Sequence, residues 1–416
     1  MSVPQTHTLN SDSNSNGKVV AAAGSRTQVG SLNLRSSQAI SLPGGQKHET
    51  LFVPTTSLPA WGTFYTIDIR EKNIILNNIT LQMVISPVTS STTAFTGYFS
   101  PAMYFFTRIE IFQSGNIIDT LLPNEQFLRT QMLDYDEVRY GSNVAMGLYS
   151  STAQRTLLSS QTGTNTFYIP LKSYFDECKP SLLTDQHAIQ IRVYMDNLAN
   201  VFTVTAGTLL SAPILSCTAI CKVTRLDVNS AAARLQSMTM TPHHSIFHET
   251  RAGYFVIPAG TLSTNLVMAA IVGNVSHLLF VVRSSSVNAG AWNYTQLQSF
   301  SILDSTSTNI TGGVSLPSSL CANVLNRDWC KSSYYSETSY ASAVNNGANF
   351  YCWSFSADPV SALGSGLALT SRKMTGNEQL VLTFPSALTA QVSVDVYAYV
   401  ESILEMTPAS VKKSGL

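Results

Sequence analysis

The chain has 416 residues, its 24 Lys and Arg balance its 24 Asp and Glu, and only 12% of its residues are charged. This length exceeds the roughly 250 to 300 residues at which a single hydrophobic core stops growing, so two domains are expected. The neutral balance argues against a protein that neutralises nucleic-acid phosphates, and no sequence-specific nucleic-acid partner is expected. The low charge suits a subunit packed among neighbours, although a neutral secreted β-protein would share it.

The signals for cellular location predict synthesis in the cytosol. The N-terminal segment MSVPQTHTLNSDSNSNGK is polar and lacks the apolar core of a signal peptide. No apolar stretch approaches the ~20 residues that a membrane-spanning helix needs. Cys217 and Cys221 lie about 13 Å apart along an expected strand, which is too far for a mutual disulfide. Without a CxxC pair, the six cysteines favour small buried side chains over a zinc site with ligands from distant segments.

Residues 1–45 are rich in Ser, Asn, Gly and Gln and have little apolar periodicity. Such a segment cannot bury enough surface to fold alone, so we interpret it as an N-terminal arm. Its apolar side chains, which a neighbour could cover, are Leu32, Leu34, Ile40 and Leu42. An inert flexible tail is an equally good interpretation. At the other end, Lys412-Lys413 is interpreted as part of a solvated tail.

Local patterns then predict a hairpin and a helix. The segment FQSGN between Ile111 and Ile117 contains turn residues, since Gly115 tolerates a positive φ, so its apolar flanks should pair as a hairpin. A helix is expected to start at Pro123-Asn124-Glu125 and to carry Leu128, Met132 and Tyr135 on one stripe.

Two long strands show alternation of apolar and polar residues. One runs from Ile189 to Met195, and the other from Val392 to Val400. The period of two is typical of a sheet with one face on a core. In the second strand the opposite face carries Tyr397 and Tyr399, and it is free to meet another sheet.

The strand-rich pattern occurs twice, in passes of about 180 residues. We align the segment 104–122 with HLLFVVRSSS from His277, and FYIPLKSYF from Phe167 with FYCWSFSADP from Phe350. The run HAIQIRVYM ending at Met195 is aligned with QVSVDVYAYV ending at Val400. Two similar β-units in tandem, which favour a building role over a catalytic one, are therefore predicted.

Three segments of the first half resemble double jelly-roll major capsid proteins of tailless icosahedral DNA viruses. The family's acidic strand, glycine turn and Ile-Asp pair resemble the segment RIEIFQSGNIID (108–119). The family's Ile-Pro-Leu motif and the strand after it resemble the segment FYIPLKSYFDECKPSLLTDQHAIQIRVYM (167–195). VTRLDVNSAAARL (223–235) resembles the junction between the two domains. The segments 350–382 and 392–406 are similar to the second jelly roll, and the length favours a small eukaryotic virus, virophage or polinton-like lineage.

The resemblance implies an all-β fold of two tandem eight-stranded jelly-roll β-sandwiches, with short helices in loops and an N-terminal arm. The implied boundaries are the arm at 1–45, the first jelly roll at 46–228, the linker at 229–240, the second jelly roll at 241–407 and a C-terminal tail at 408–416.

The resemblance also suggests roles for individual residues. Arg108, Glu110 and Asp119 are expected to fix the hairpin, with Gly115 at its turn, or to make a subunit contact; an exposed ion pair on a strand face is the alternative. Pro170 is expected to end the pairing of its strand where its missing N–H is harmless. Asp227 and Arg234 are expected to cap and anchor the linker, against the alternative of ordinary solvated charges.

The implied function is that of a major capsid protein. Subunits would form a homotrimer, a pseudo-hexameric capsomer that tiles an icosahedral shell. The implied partners are neighbouring capsomer trimers, penton and minor capsid proteins and, indirectly, an internal membrane. The protein would be made and assembled inside the host cell and would reside in the virion.

Enzymatic functions find little support in the sequence. His243, His244, His248 and Glu249 are ligand types for a metal but do not form an HExxH motif, and GxSxG and phosphate-binding glycine motifs are missing. We therefore expect no catalytic residue, no metal and no cofactor. The alternative function is a two-sandwich glycan-binding or glycan-hydrolysing protein, which would need a secretory signal or acidic residues that converge with aromatics in a groove.

Overall fold

The structure is a computed structural model that describes residues 46–91, 95–133, 136–147, 163–177, 181–183, 187–284, 295–311, 316–317, 351–356 and 371–415. All of these residues belong to one compact unit. The predicted arm at 1–45, with its four apolar side chains, and Tyr135 of the predicted helical stripe lie outside the described residues. Strands are numbered below in chain order.

The first half of the chain folds into two facing antiparallel sheets. One sheet contains β1 (Gln46–Pro54), β3 (Ile74–Ile85), β8 (Asn165–Leu171), β9 (Ser181–Leu183) and β13 (Ile214–Leu226), and the other contains β2 (Phe64–Ile69), β6 (Phe106–Gln113), β7 (Asn116–Leu121) and β10 (Ile189–Met195). The strand orders are β1-β13-β3-β8, with β9 beside β3, and β2-β10-β6-β7. Two short ladders join β4 (Thr89–Ser90) to β12 (Leu209–Ser211) and β5 (Thr96–Phe99) to β11 (Phe202–Ala206).

The second half repeats this arrangement. One sheet contains β14 (His243–Ile257), β16 (Val272–Ser284), β19 (Tyr351–Ser354), β20 (Arg372–Thr375), β22 (Val392–Met406) and β23 (Val411–Gly415), and the other contains β15 (Ser263–Val267), β17 (Ser299–Leu303), β18 (Leu316–Pro317) and β21 (Gln379–Thr383). Their orders are β14-β22-β16-β19, with β20 beside β16 and β23 beside β22, and β15-β21-β17-β18.

Both halves are jelly rolls. If the eight main strands of each half are counted in chain order, both halves show the orders 1-8-3-6 and 2-7-4-5 in their facing sheets. This interleaving of sequence-distant strands defines the eight-stranded jelly roll. The predicted fold class of two tandem jelly-roll sandwiches is therefore confirmed.

The predicted alignment of the two passes is only partly correct. Strand β8 does correspond to β19, but the equivalent of the hairpin β6-β7 is β17-β18 rather than β16, and the equivalent of β10 is β21 rather than β22. The error has a physical cause. A period of two looks the same in every half-buried strand, so the long apolar strands β16 and β22 attracted the alignment more strongly than the five-residue strands β17 and β21.

Helices are short and lie in the connections. Helix α1 (Pro123–Leu133) begins at the predicted Pro123 and is followed by α2 (Asp136–Ala145). Single helical turns occupy Tyr174–Glu177 and Leu198–Val201, and a 3-10 turn occupies Ala102–Phe105. The linker helix (Val228–Met240) joins the two rolls.

The predicted hairpin is formed by β6 and β7. Its two central residues, Ser114 and Gly115, have φ values of 51° and 79°, and Gln113 pairs with Asn116. A two-residue loop with both φ values positive matches the right-handed twist of the flanking strands. Ile109 and Ile111 are buried by this register.

Each roll has its own aromatic cluster in the core. In the first roll the rings of Phe99, Phe105 and Phe167 contact one another edge to face, with centroids 5.0 to 5.6 Å apart. In the second roll Phe280 stacks on Tyr351 at 5.2 Å and meets Phe300 at 5.0 Å. In the second roll these contacts connect the two facing sheets, and in the first roll they join β8 to β5 and to the 3-10 turn before β6.

The hairpin turn gives a first prediction. A Cβ atom at Gly115 would meet nothing within 4 Å, so Gly115→Ala introduces only the cost of a positive φ and should lower the free energy of unfolding by about 1 kcal/mol. Gly141→Ala is the matched control, because its Cβ position is equally open but lies in α2; this change should raise the stability by up to about 1 kcal/mol. Denaturant unfolding of both variants measures the difference, and equal signs would contradict the turn geometry.

Candidate functional site

The most extensive candidate site is the inter-roll interface, where the outer face of the sheet β14-β22-β16-β19 contacts α1, β7 and the turn Tyr174–Glu177 of the first roll. Strand β22 shows how this interface forms. Val394, Val396 and Ala398 face the second core, whereas Tyr397 and Tyr399 are buried in the apolar cluster of the first roll. The tyrosine face predicted to be free to meet another sheet thus meets a helix and the edge of a sheet.

Apolar contacts make up most of this interface. Phe247 of β14 lies against Tyr174, with ring centroids 5.9 Å apart. Leu279, Val281 and Cys352 from the same sheet are buried in the first roll's cluster. Much of the outer face of this sheet is therefore apolar and buried, like its inner face.

A buried carboxyl group lies within the interface. Glu125 of α1 is fully buried; the Tyr399 hydroxyl donates to its Oε1 at 2.7 Å, and Gln126 Nε2 donates to its Oε2 at 2.7 Å. Burial raises the pKa of Glu125 to about 7; nearby Arg129 acts in the opposite direction and Asp119 in the same direction. The proton of Glu125 is thus held near neutral pH by loss of hydration.

A second carboxylate is contributed by the second roll. Asp395 Oδ2 accepts hydrogen bonds from Asn124 Nδ2 of α1 and from Arg283 Nε, both at 2.8 Å. The side chain of Asp395 is 1% exposed, so the carboxylate is shielded from water, whereas the side chain of Arg283 is 27% exposed. Asp395 therefore connects its own sheet to the start of α1.

The C-terminal strand β23 also joins the two rolls. Val411 is buried, and its carbonyl accepts a hydrogen bond from Asn116 Nδ2 at 2.9 Å. Lys413 Nζ donates to the Ile118 carbonyl at 3.2 Å and lies 3.2 Å from Glu249. The expectation of a solvated tail is wrong for Lys413, because β23 pairs with β22 and places this side chain over β7.

Arg108 and Glu110 lie apart from the inter-roll interface. Their side chains pair at 2.9 Å on the outer face of β6. Arg108 also lies over the Tyr194 ring, 3.8 Å from its centroid, and the Tyr194 hydroxyl donates to Glu110 at 2.8 Å. Arg108 and Glu110 therefore form the ion pair on a strand face that was the alternative to a role in the hairpin or in a subunit contact. Their role in a subunit contact stays a prediction.

Asp119 is buried in β7 and holds the next connection in place. Its Oδ2 accepts hydrogen bonds from Ser173 Oγ at 2.6 Å and from the Tyr174 N–H at 3.3 Å. Through this turn, Asp119 places Tyr174 where it contacts Phe247.

Pro170 lies inside β8, opposite Thr80, and the ladder continues to the pair Leu171–Ile79. The predicted end of pairing at Pro170 is therefore wrong by one residue. Strand β8 pairs only with β3 among the described residues, and such an edge strand tolerates a proline whose missing N–H would point away from its partner.

The linker helix begins at Asp227. The Asp227 carboxylate accepts hydrogen bonds from the N–H of Ser230 at 2.9 Å and from its hydroxyl. These bonds are the main cause of the lowered pKa of Asp227. One face of the helix packs on the first roll, where Ala231 and Met238 contact Ile75 and Leu226.

Arg234 lies half-buried in the same helix, close to the start of the second roll. Burial lowers the pKa of its guanidinium. The pKa of His243 is lowered to about 4, mainly by burial. The charge of Arg234 is the second cause, and the charge of His244 is the third.

The remaining groups with ligand or nucleophile chemistry are the His-rich segment with Glu249 and the cysteines. Within the described ranges, no group of three His, Cys, Asp or Glu side chains could hold a metal ion. Glu249 instead accepts from Ser402 and pairs with Lys413. Cys217 and Cys221 are free thiols, and burial raises their pKa values to about 11 and 12.

No helix in the described part of the chain is long and apolar enough to cross a membrane.

Solved structures of viral capsid proteins resemble this chain over nearly its full length. The chain matches PBCV-1 VP54, as fitted into a reconstruction of the virophage Sputnik, with a TM-score of 0.68 and 13% identity over 89% of this chain and 97% of the other. It matches the Faustovirus major capsid protein with a TM-score of 0.63 and 8% identity over 88% and 92%. It also matches a chain of the Sputnik virophage structure with a TM-score of 0.56 and 11% identity over 100% and 94%.

This chain has the double jelly-roll fold. The resemblance stated from sequence is confirmed at the level of the fold. No protein-family model matches the sequence, and no curated protein matches it.

Glu125 predicts an unusual pH dependence of stability. The folded chain keeps this proton to about pH 7, whereas an unfolded glutamic acid releases it near pH 4.5, so folding takes up a proton between these values. Glu125 alone should lower the free energy of unfolding by roughly 3 kcal/mol as the pH rises through this window, and its contribution should then level off.

Glu125→Gln should remove this pH-dependent contribution to stability. The Gln side chain can still accept a hydrogen bond from Tyr399 through Oε1, but it does not titrate. His243 acts in the opposite direction between about pH 4 and 6.5, because its lowered pKa makes the unfolded chain bind more protons. The difference between the denaturation curves of the two proteins at each pH therefore isolates Glu125. A difference that does not change with pH would contradict its assigned protonation.

The cap at Asp227 gives a third prediction. Asp227→Ala removes the acceptor for the Ser230 N–H and should lower the free energy of unfolding by about 1 kcal/mol. Asp227→Asn, which retains an acceptor oxygen, is the control and should cost only a few tenths of that. If both variants lose the same stability in denaturant, the charge rather than the hydrogen bond is responsible.

Proposed function

We propose that this protein is a major capsid protein whose subunits form trimeric, pseudo-hexameric capsomers that tile an icosahedral shell. The observation that carries the proposal is that two rolls of identical strand order are held together in one chain. Three such subunits around a threefold axis present six similar lobes, so a trimer acquires a nearly hexagonal outline. A hexagonal unit can be packed side by side over a shell.

The rigidity of the subunit supports this proposal. The inter-roll interface, the capped linker helix and β23 each connect the two rolls. Because these connections are distributed along the chain, neither roll can turn without breaking buried contacts. A shell needs lobes with a fixed relative position, and this subunit is built to supply it.

The surface composition also fits an assembly subunit. Several large apolar side chains of the first roll are exposed in the isolated chain, among them Phe52, Leu58 and Phe64. Obligate interfaces commonly bury more than about 2,000 Å² and are richer in apolar residues than ordinary surface. The 12% charge of the whole chain agrees with such coverage.

The structural neighbours support the same proposal, since one of them is described as a major capsid protein and another as part of a virus capsid. In the proposed role, the partners are neighbouring trimers, penton and minor capsid proteins and, indirectly, an internal membrane. The protein acts in the virion after synthesis in the host cell and has no enzymatic activity. We propose an arm at 1–45, a first jelly roll at 46–228, a linker at 229–240, a second jelly roll at 241–407 and a C-terminal tail at 408–416 that is docked on the second roll through β23.

The alternative, a glycan-binding or glycan-hydrolysing protein, is less well supported. A groove of about 310 Å³ is lined by Asp68, Arg70 and Gln190 together with Ala188 and Ile189. Its carboxylate accepts hydrogen bonds from Arg70 and Gln190, both within 2.9 Å. Glycoside hydrolysis uses two carboxyl groups on either side of the sugar bond, and this groove supplies one that is already engaged.

The two functions predict different assemblies. Purified full-length protein should sediment as a trimer of the 45.1 kDa chain, and concentrated samples should show hexagonal particles in negative-stain electron microscopy. A monodisperse monomer that binds oligosaccharides would favour the alternative.

A further inference from the structure

The outer face of the strands β2, β10 and β6 in the first roll combines aromatic side chains with charged ones. Three cross-strand rows follow one another on this face. The rows are Phe64, Tyr194 and Arg108; Thr66, Arg192 and Glu110; and Asp68, Gln190 and Phe112. We call these nine residues the arginine face, because Arg192 lies at their centre.

Arg192 is the one charged group of the arginine face that has no oppositely charged partner among the described residues. Arg108 pairs with Glu110 at 2.9 Å, and Arg70 at the end of β2 pairs with Asp68 at 2.8 Å. Glu110 lies directly opposite Arg192 but already accepts two other hydrogen bonds. The face therefore carries one uncompensated positive charge at its centre.

Neighbouring rings hold the guanidinium of Arg192 in place. Its central carbon lies 4.7 Å from the centroid of the Phe112 ring and 5.7 Å from that of Phe64. Nη1 donates to the Tyr194 hydroxyl over a long 3.5 Å, and the buried Nε has no acceptor in the described part of the chain. Aromatic rings contact the flat faces of a guanidinium and leave the N–H groups at its edge for a planar anion. A carboxylate would therefore gain both an opposite charge and hydrogen bonds at Arg192.

The surroundings of Arg192 favour a protein segment over nucleic acid or a small molecule. Phosphate backbones are bound through several uncompensated cations, whereas the single one here has Glu110 and Asp68 close by. Small molecules occupy concave pockets, and Arg192 does not line the groove at Asp68 and Gln190. A sheet face on which aromatic rings surround an arginine is instead typical of the centre of a protein interface.

Exposed apolar side chains lie on the same face. Phe64 is 57% exposed, and Ile117, which pairs with Phe112 across the hairpin, is 45% exposed. We propose that the arginine face binds an acidic segment of another protein, with an Asp or Glu side chain on Arg192 and an apolar side chain against Phe64. The inference does not rest on the proposed function, because the face belongs to the single folded chain.

Selection of displayed peptides tests the proposal. A random peptide library on phage is depleted on the full-length Arg192→Gln protein and then selected on the full-length wild-type protein. The retained sequences should share an Asp or Glu beside an aromatic or branched aliphatic residue. In fluorescence anisotropy, a synthetic peptide from this set should bind Arg192→Gln about ten-fold more weakly or worse, because the charge-assisted hydrogen bonds are lost.

Lys222→Gln is the matched control. It removes the same charge from an exposed position on the other sheet of the same roll, so the peptide affinity should change less than about two-fold. If Arg192→Gln does not fold, Phe64→Ala takes its place in the depletion and in the binding measurement. This change at an exposed position should weaken the peptide about five-fold, because part of the apolar contact is lost.

Three results would overturn the inference. The first is a selection that retains no acidic peptides, or peptides that bind wild type, Arg192→Gln and Phe64→Ala equally well. The second is a panel of carboxylated oligosaccharides that binds at Arg192 when the peptides do not, because the occupant would then be a sugar. The third is an assembly of wild-type chains that Arg192→Gln dissociates in sedimentation experiments, because a second copy would then occupy the face.

Discussion

The structure depends on one sheet, β14-β22-β16-β19, that is buried on both sides. Its inner side packs into the second core, and its outer side packs on the first roll through Tyr397, Tyr399 and Phe247. Each buried aromatic ring removes on the order of 150 to 250 Å² from water, so separating the rolls would expose a large apolar surface. The two rolls therefore form one cooperative body, although each has the strand order of a complete sandwich.

Polar groups inside this apolar contact determine how the rolls are aligned. Apolar surfaces alone allow small sliding movements, because the hydrophobic effect has no direction. Glu125 and Asp395 accept short hydrogen bonds from across the interface, from Tyr399 and Asn124 respectively. Burying a carboxyl group is unfavourable, and the two groups lower this cost differently: Asp395 pairs with Arg283, whereas Glu125 keeps its proton near neutral pH. Their geometry fixes the position of α1 against β22.

Sequence patterns predicted the local features of this fold and missed the distant ones. The Gly115 turn, the helix start at Pro123 and the alternation of β22 depend on residues within a few positions of each other, and the structure contains all three. The hydrogen bond between Glu125 and Tyr399 joins residues 274 positions apart, and neither residue is unusual in its own segment. The repeat alignment failed for a related reason, since strands carry the same period whatever their place in a sheet. An acidic residue on a tyrosine-bearing strand face, as at Asp395, is the one local sign that a polar partner was required.

The buried polar groups of the inter-roll interface are compatible with a contact that forms within one chain. A contact within one chain forms at a high effective concentration, so it can tolerate buried carboxyl groups such as Glu125 and Asp395. A contact between chains must also overcome about 4 to 15 kcal/mol of lost translational and rotational freedom, which leaves less room for desolvated charge. The two rolls share one strand order, and the covalent connection between them allows Glu125 and Asp395 to stay buried in the contact that joins them.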